Sequence, residues 1–410
     1  MNLRVKIQLM LMMFLMFFTW GAWYGQMGKY LFTTLHATGD QIGSAYTTFS
    51  LASIFAPFFV GMIADRFFSA QKVMGVLNLL GAVILYFLIQ NQSAETFFWY
   101  ILAYTLTFAP NLALSSSIAM GQMKDPGKEF PAIRVLGTIA WIVVTNIIGY
   151  YNFGDKVTIF QFAMFTSIAW GLFSFTLPDT PPKAKGQSSF SQILGTDAFV
   201  LFKDRSFLIF FVSSVLVCIP LAFYYAHANL SLTESNMTNV ENKMSIGQAS
   251  EVLFMLLIPF ALQKFGIKKM LIVGLVAWIT RFICFGYGDG LSSEWILYLA
   301  IVLHGICYDF FFVTGQIYTD LKAGEKIKNS AQGLITLATY GIGMGIGSKI
   351  SGLVLDKYST KSIIDVNGIA TLLVSHNWRN VWMVPAAISA VVLVLFILFF
   401  NDNKTKIETN

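Results

Sequence analysis

Gln248 and Glu251 lie three residues apart in MSIGQASEVLFMLLIPF (Met244 to Phe260), one of the most apolar stretches of the chain. On a helix that spacing puts an amide and a carboxylate on one face, where they can grip neighbouring hydroxyls or the polar edge of a ring. A second stretch, FPAIRVLGTIAW, carries Arg134, Thr138 and Trp141 at i, i+4 and i+7. That stripe holds a guanidinium fork, a hydroxyl and a large π-face, and Pro131 suits the first helical turn before it. A third, LHGICYDFFFVTGQIY, sets His304 and Tyr308 at i and i+4, with Asp309 turned about 100° further round. The first two can meet a ligand, and a carboxyl in such apolar surroundings is the kind of group a proton carrier needs.

These side chains are conspicuous because of what surrounds them. Of 410 residues, 56% are hydrophobic and only 12% are charged, against roughly 25% charged in a soluble chain. The composition predicts an all-α polytopic membrane protein, in which an ionisable residue on a span is expensive and marks a functional site. A span needs about 20 apolar residues. Windows of that size fall at 7–32, 41–64, 71–90, 97–121, 131–150 and 158–177, then at 206–232, 244–263, 269–287, 294–318, 330–355 and 380–400. The apolar start from Ile7 lacks a small-residue cleavage site and reads as a retained first span.

One long polar connection, PDTPPKAKGQSSFSQILGTDAFVLFKDR, separates the first six windows from the last six. The expected organisation is a six-helix half over 1–177, a cytoplasmic linker over 178–205 and a second six-helix half over 206–410. With the N-terminus inside, the short inner segments carry 18 Lys and Arg and the outer loops carry five, Lys156, Lys243, Lys357, Lys361 and Arg379. The bias toward the inside predicts that both termini are cytoplasmic. It also accounts for the net charge of +6 without a nucleic-acid partner.

Once loops are removed, Lys29, Arg134, Glu251, Arg281, Asp309 and Lys349 remain in or beside the spans. Lys29 and Lys349 can snorkel from helix ends. Arg134 can instead pair with Asp125 or Glu129, and Asp309 with Arg281; Arg281 reads as such a partner or as part of a gate. Cys218, Cys284 and Cys307 have neither disulfide-framework nor metal-ligand spacing, so no metal and no cofactor is expected. YGIGMGIGSKISG has the glycines of a phosphate cradle but lacks a Lys directly after the last Gly and a preceding strand. Its Gly341/Gly345 and Gly343/Gly347 pairs suit close helix packing instead. No ATP-binding, metalloprotease-like or Gly-x-Ser-x-Gly pattern appears, and the chain is not expected to be an enzyme. Aromatic faces beside amide and carboxylate groups suit a neutral molecule with a flat part and a polyol part; a pure sugar fits less well.

Two related halves are the plan of a major facilitator transporter, with substrate between them near the midplane. APFFVGMIADRFFSAQKVM in window 2 parallels IPFALQKFGIKKM in window 8, and GMIADRFFSAQK resembles that superfamily's loop 2–3 signature. Its Asp65, Arg66 and Lys72 are expected to latch a gate at the cytoplasmic mouth rather than touch substrate. Nearly end to end, from TWGAWYGQMGKYLF through PAIRVLGTIAW, QASEVLFMLLIPF and YDFFFVTGQIY to SAQG, the chain resembles the bacterial nucleoside:proton symporters of the NupG kind.

That resemblance implies a multi-pass transporter of the bacterial inner membrane, importing a nucleoside with a proton by alternating access, expected to act as a monomer in the lipid bilayer. It implies substrate contacts from Arg134, Thr138, Gln248, Glu251, His304 and Tyr308, and proton coupling at Asp309. The chain departs from the family in having Trp141 and His304 where Phe and Tyr are usual, and Tyr308 where Phe precedes the coupling Asp. In window 7 the family's Gln and Asn fall near Ala222 and Tyr225, so base contacts there are expected from Tyr225 or Asn229. A proton-coupled sugar or drug carrier of the same fold is the alternative, and a receptor that binds without transport is a further one.

Overall fold

A backbone inside a bilayer must satisfy its own hydrogen bonds, so the apolar windows become helices. A computed structural model of the chain describes residues 2–59, 67–124, 126–182, 196–366 and 369–401. Span 1 runs through Leu3–Trp23, breaks at Tyr24 to Gln26 and resumes as Met27–Thr33. Spans 2 to 6 are Gly39–Phe59, Ala70–Ile89, Ala94–Gly121, Pro126–Tyr150 and Thr158–Ser174. Beyond the polar connection, a short 3-10 helix over Thr196–Lys203 leads into span 7, Arg205–Glu234. Asp204 caps span 7, accepting from Ser206 N at 2.8 Å and Phe207 N at 3.2 Å, and its other oxygen meets Lys322 at 2.9 Å.

Spans 8 and 9 form one stretch, Val240–Tyr287, parted at Gly266, and spans 10 and 11 meet within Thr314–Thr336 at Gly324. Both corners take positive φ, 73° and 61°, a region that only glycine enters without strain. Span 10 begins as Glu294–Tyr308 and widens to a π-helical turn over Asp309–Val313. Span 11 widens likewise over Leu337–Gly343 before ending as Met344–Lys357, and span 12 is Trp378–Phe399. Among the described residues the helices thus make twelve spans, as expected.

The windows gave no hint of an antiparallel hairpin between spans 11 and 12, with β1 over Ser359–Val366 paired to β2 over Ile369–His376. The two charged residues Lys361 and Asp365 and the run of Ser and Thr made this segment read as an ordinary loop. Its last residue, His376, packs edge-on against Phe32 of span 1 at 4.9 Å and lies 3.0 Å from the Glu234 carboxylate at the end of span 7.

The glycine stripe of span 11 packs on two sides at once. A Cβ on Gly343 or Gly347 would meet Val215, Cys218, Ile219 and Ala222 of span 7, whereas one on Gly341 or Gly345 would meet Ile54 and Ser50 of span 2. Span 11 is therefore wedged between its own half and the other.

The halves join at the end that carries connections 1–2, 5–6, 7–8 and 11–12. There Lys29 pairs with Glu241 at 2.9 Å, Lys349 with Asp40 at 2.5 Å, and Asp356 accepts from the backbone N–H groups of Gly39 and Asp40 at 2.7 Å each. Slightly deeper, Asn146 donates to Ser245 at 2.9 Å and accepts from Asn242 at 2.9 Å. Among the described residues the cross-half hydrogen bonds cluster at this closed end. Lys29 and Glu241 keep only 14% and 5% of their side chains exposed, so Lys29 is paired rather than snorkelling.

Candidate functional site

A cavity opens between the halves, lined from span 5 by Arg134, Thr138 and Trp141 and from span 8 by Gln248 and Glu251. Span 10 adds His304 and Tyr308, and span 7 adds Tyr225. The helical spacings seen in the sequence hold: each stripe presents its polar and aromatic members to the same space.

The Arg134 guanidinium lies over the Phe17 ring, 4.0 Å from its centroid. The charged head is thus steadied by an aromatic face, and Glu251 acts on it electrostatically from the other half. Trp141 stands edge-on to Trp20, with ring centroids 5.7 Å apart. A Cβ at Gly21 would come within 3.0 Å of the indole, so the small residue makes room for Trp141.

In the C-terminal half, His304 Nε2 lies 3.7 Å from Glu251 Oε2, and its Nδ1 lies 3.0 Å from Arg281 Nη1. Arg281 is fully buried; its Nε donates to the Ala300 carbonyl at 2.9 Å and its guanidinium stacks on Tyr224 at 3.9 Å. Arg281, expected at a gate, lies inside one half and outside the cavity lining, in contact with His304. Nor does it form a salt bridge with Asp309. Both carboxylate oxygens of Asp309 are buried without a hydrogen-bond partner among the described residues.

Asp309 opens the π-helical turn of span 10, one residue after the cavity-lining Tyr308. Such a turn carries an extra residue in the ring of each hydrogen bond and recurs at functional positions. The same widening in span 11 contains Tyr340, whose hydroxyl lies 2.7 Å from that of Tyr308.

Asn229, the other span 7 residue expected at the site, does not line this cavity. It faces a small adjoining chamber toward the closed end, which shares Trp141, Tyr225 and Gln248 with the first. Of the residues expected at a gate, Asp65 and Arg66 lie outside the described residues. Lys72 is exposed near the start of span 3, where it acts electrostatically on Asp179.

A family model described as the nucleoside H+ symporter matches residues 1–405. The chain belongs to the nucleoside H+ symporter family. It is 40% identical to YegT of Escherichia coli (strain K12), over 99% of this chain and 96% of that protein. It is 31% identical to the nucleoside permease NupG of the same organism, over 99% of this chain and 98% of the permease. A crystal structure of nucleoside transporter NupG superposes with a TM-score of 0.85 at 32% identity, covering 99% of this chain and 100% of the other. The major facilitator fold and the membrane-transporter class follow.

Three aromatic residues of this symporter's cavity escaped the sequence reading: Phe17, Trp20 and Tyr340. Phe17 and Trp20 sit in a run of Met, Phe and Leu with no charged neighbour to single them out, and Tyr340 lies in the glycine stripe read as packing. A signal was present in Thr19 and Trp20, a polar and an amphipathic residue together inside an otherwise apolar window.

Proposed function

We propose that the chain imports a nucleoside together with a proton across the bacterial inner membrane, alternating exposure of the central cavity to the two sides. The observation that carries this reading is the convergence of stacking and hydroxyl-binding groups from both halves on one cavity. Trp141 and Tyr225 offer faces for a base. Glu251 and Gln248 accept from ribose hydroxyls, charge assistance making the carboxylate the stronger grip. Arg134 and Thr138 donate from the opposite half, and His304 and Tyr308 complete the polar wall.

Asp309 takes the proton. It is buried, without a hydrogen-bond partner among the described residues, and next in sequence to a substrate-lining tyrosine. Both termini face the cytoplasm, as the Lys and Arg distribution favours. The conformer is then the one closed on the outer side, with Lys29–Glu241 and Lys349–Asp40 sealing it. Because one chain supplies both halves of the cavity, a monomer in the lipid bilayer suffices.

Uptake of labelled nucleoside into proteoliposomes tests this. Accumulation should follow an inward proton gradient and collapse with a protonophore, and full accumulation on a sodium gradient alone would refute proton coupling.

A further inference from the structure

The adjoining chamber holds two side-chain oxygens without partners: Gln26 Oε1 and Asn229 Oδ1 are both buried and both unbonded among the described residues. Gln26 and Asn229 are 2% and 3% exposed, and both line the chamber. Such oxygens in an apolar protein are costly unless something donates to them. They come from different halves. Gln26 sits at the break in span 1, the helix resuming at Met27, and its side chain makes no cap for that helix. Interrupted helices of this kind are where transporters place ligand contacts. Asn229 lies one turn beyond Tyr225 on span 7.

Trp141, Tyr225 and Gln248 line both cavities, so the chamber lies directly beside the face on which a ligand would stack. The space beyond the shared lining is small, with room for a group the size of an amine while the ring itself stays beside Trp141. We propose that the chamber is the base-reading subsite and that it selects nucleosides whose base carries an exocyclic amine. On this view the two oxygens accept the two N–H bonds of that amine, while the ribose stays with Glu251 and Gln248. With the two amides turned as they are here, oxygens inward, an oxo group in its place brings lone pairs to two acceptors and leaves both unsatisfied, the situation that gives a hydrogen-bonding site its discrimination. The inference rests on the nucleoside reading above and adds to it which bases are taken.

Two substrate pairs differ chiefly in this group: cytidine against uridine, and adenosine against inosine. The test is competition of all four against labelled adenosine in counterflow, with the full chain in proteoliposomes. In each pair the amine should compete better than the oxo compound by about tenfold. Asn229→Leu and Gln26→Leu should each shrink that ratio toward one, and Asn229→Asp, which keeps acceptor oxygens, should preserve a preference for the amine. Melting temperatures of the purified variants verify that they fold. Equal competition within both pairs in the natural chain, or ratios unchanged in both leucine variants, would overturn the proposal and leave the chamber to water. Absence of counterflow for labelled adenosine, cytidine, uridine and inosine alike removes the nucleoside reading itself, and the base-reading subsite with it.

Discussion

Arg281 Nη1 lies 3.0 Å from His304 Nδ1. A guanidinium only donates, so Nδ1 accepts and the imidazole proton is on Nε2, the nitrogen 3.7 Å from Glu251. A buried cation outside the cavity lining thereby sets which face of His304 the cavity sees. Arg281→Met should release the ring from this orientation and weaken nucleoside binding by about 1–3 kcal/mol, the cost of a buried hydrogen bond to a charged group. Nitrogen-15 spectra of labelled His304 separate this from general damage: the Nε2–H form should dominate in the natural chain and lose its dominance in Arg281→Met.

Trp141 is braced by Trp20 and given room by Gly21. Trp141→Ala should weaken nucleoside binding by about 1–3 kcal/mol, as for other base–aromatic stacks, and Trp141→Phe by less. Calorimetric titration checks both, and equal small effects would return the residue to packing.

Lys29 and Glu241 form a largely buried ion pair between the halves. Removing one partner of such a pair leaves an uncompensated charge and costs about 3–5 kcal/mol, whereas replacing both with apolar residues costs less. Glu241→Gln should therefore lower the melting temperature and open the closed end. The Lys29→Met/Glu241→Leu double variant should recover most of the melting temperature. A double variant as unstable as Glu241→Gln would show that the pair is not what joins the halves there.

The spans, the inner basic bias and most cavity residues were legible because each rests on short-range regularities. Twenty apolar residues mark a helix, and i, i+4 spacing puts Arg134 with Thr138 and His304 with Tyr308 wherever those helices go. What could not be read depends on which helices end up adjacent. Arg281 reads in the sequence as a partner of Asp309 or part of a gate, whereas its contacts are with Ala300, His304 and Tyr224 on neighbouring helices. Asn229 lines the second chamber rather than the first, and the break in span 1 that places Gln26 beside that chamber has only Gly25 to mark it, with no proline, inside an apolar window. The π-helical turns at Asp309 and Tyr340 likewise have no signature in residue type.

On the proposed function two carboxylates divide the labour: half-buried Glu251 faces the cavity, and fully buried Asp309 follows the cavity-lining Tyr308 in the chain. The decisive measurement compares counterflow with proton-driven accumulation for Asp309→Asn and Glu251→Gln in proteoliposomes. Asp309→Asn, which resembles the protonated acid, should still exchange labelled nucleoside but fail to concentrate it under an inward proton gradient, while Glu251→Gln should bind more weakly at both pH 6 and pH 8. Accumulation by Asp309→Asn, together with normal binding but no accumulation by Glu251→Gln, would contradict the account and make Glu251 the proton carrier.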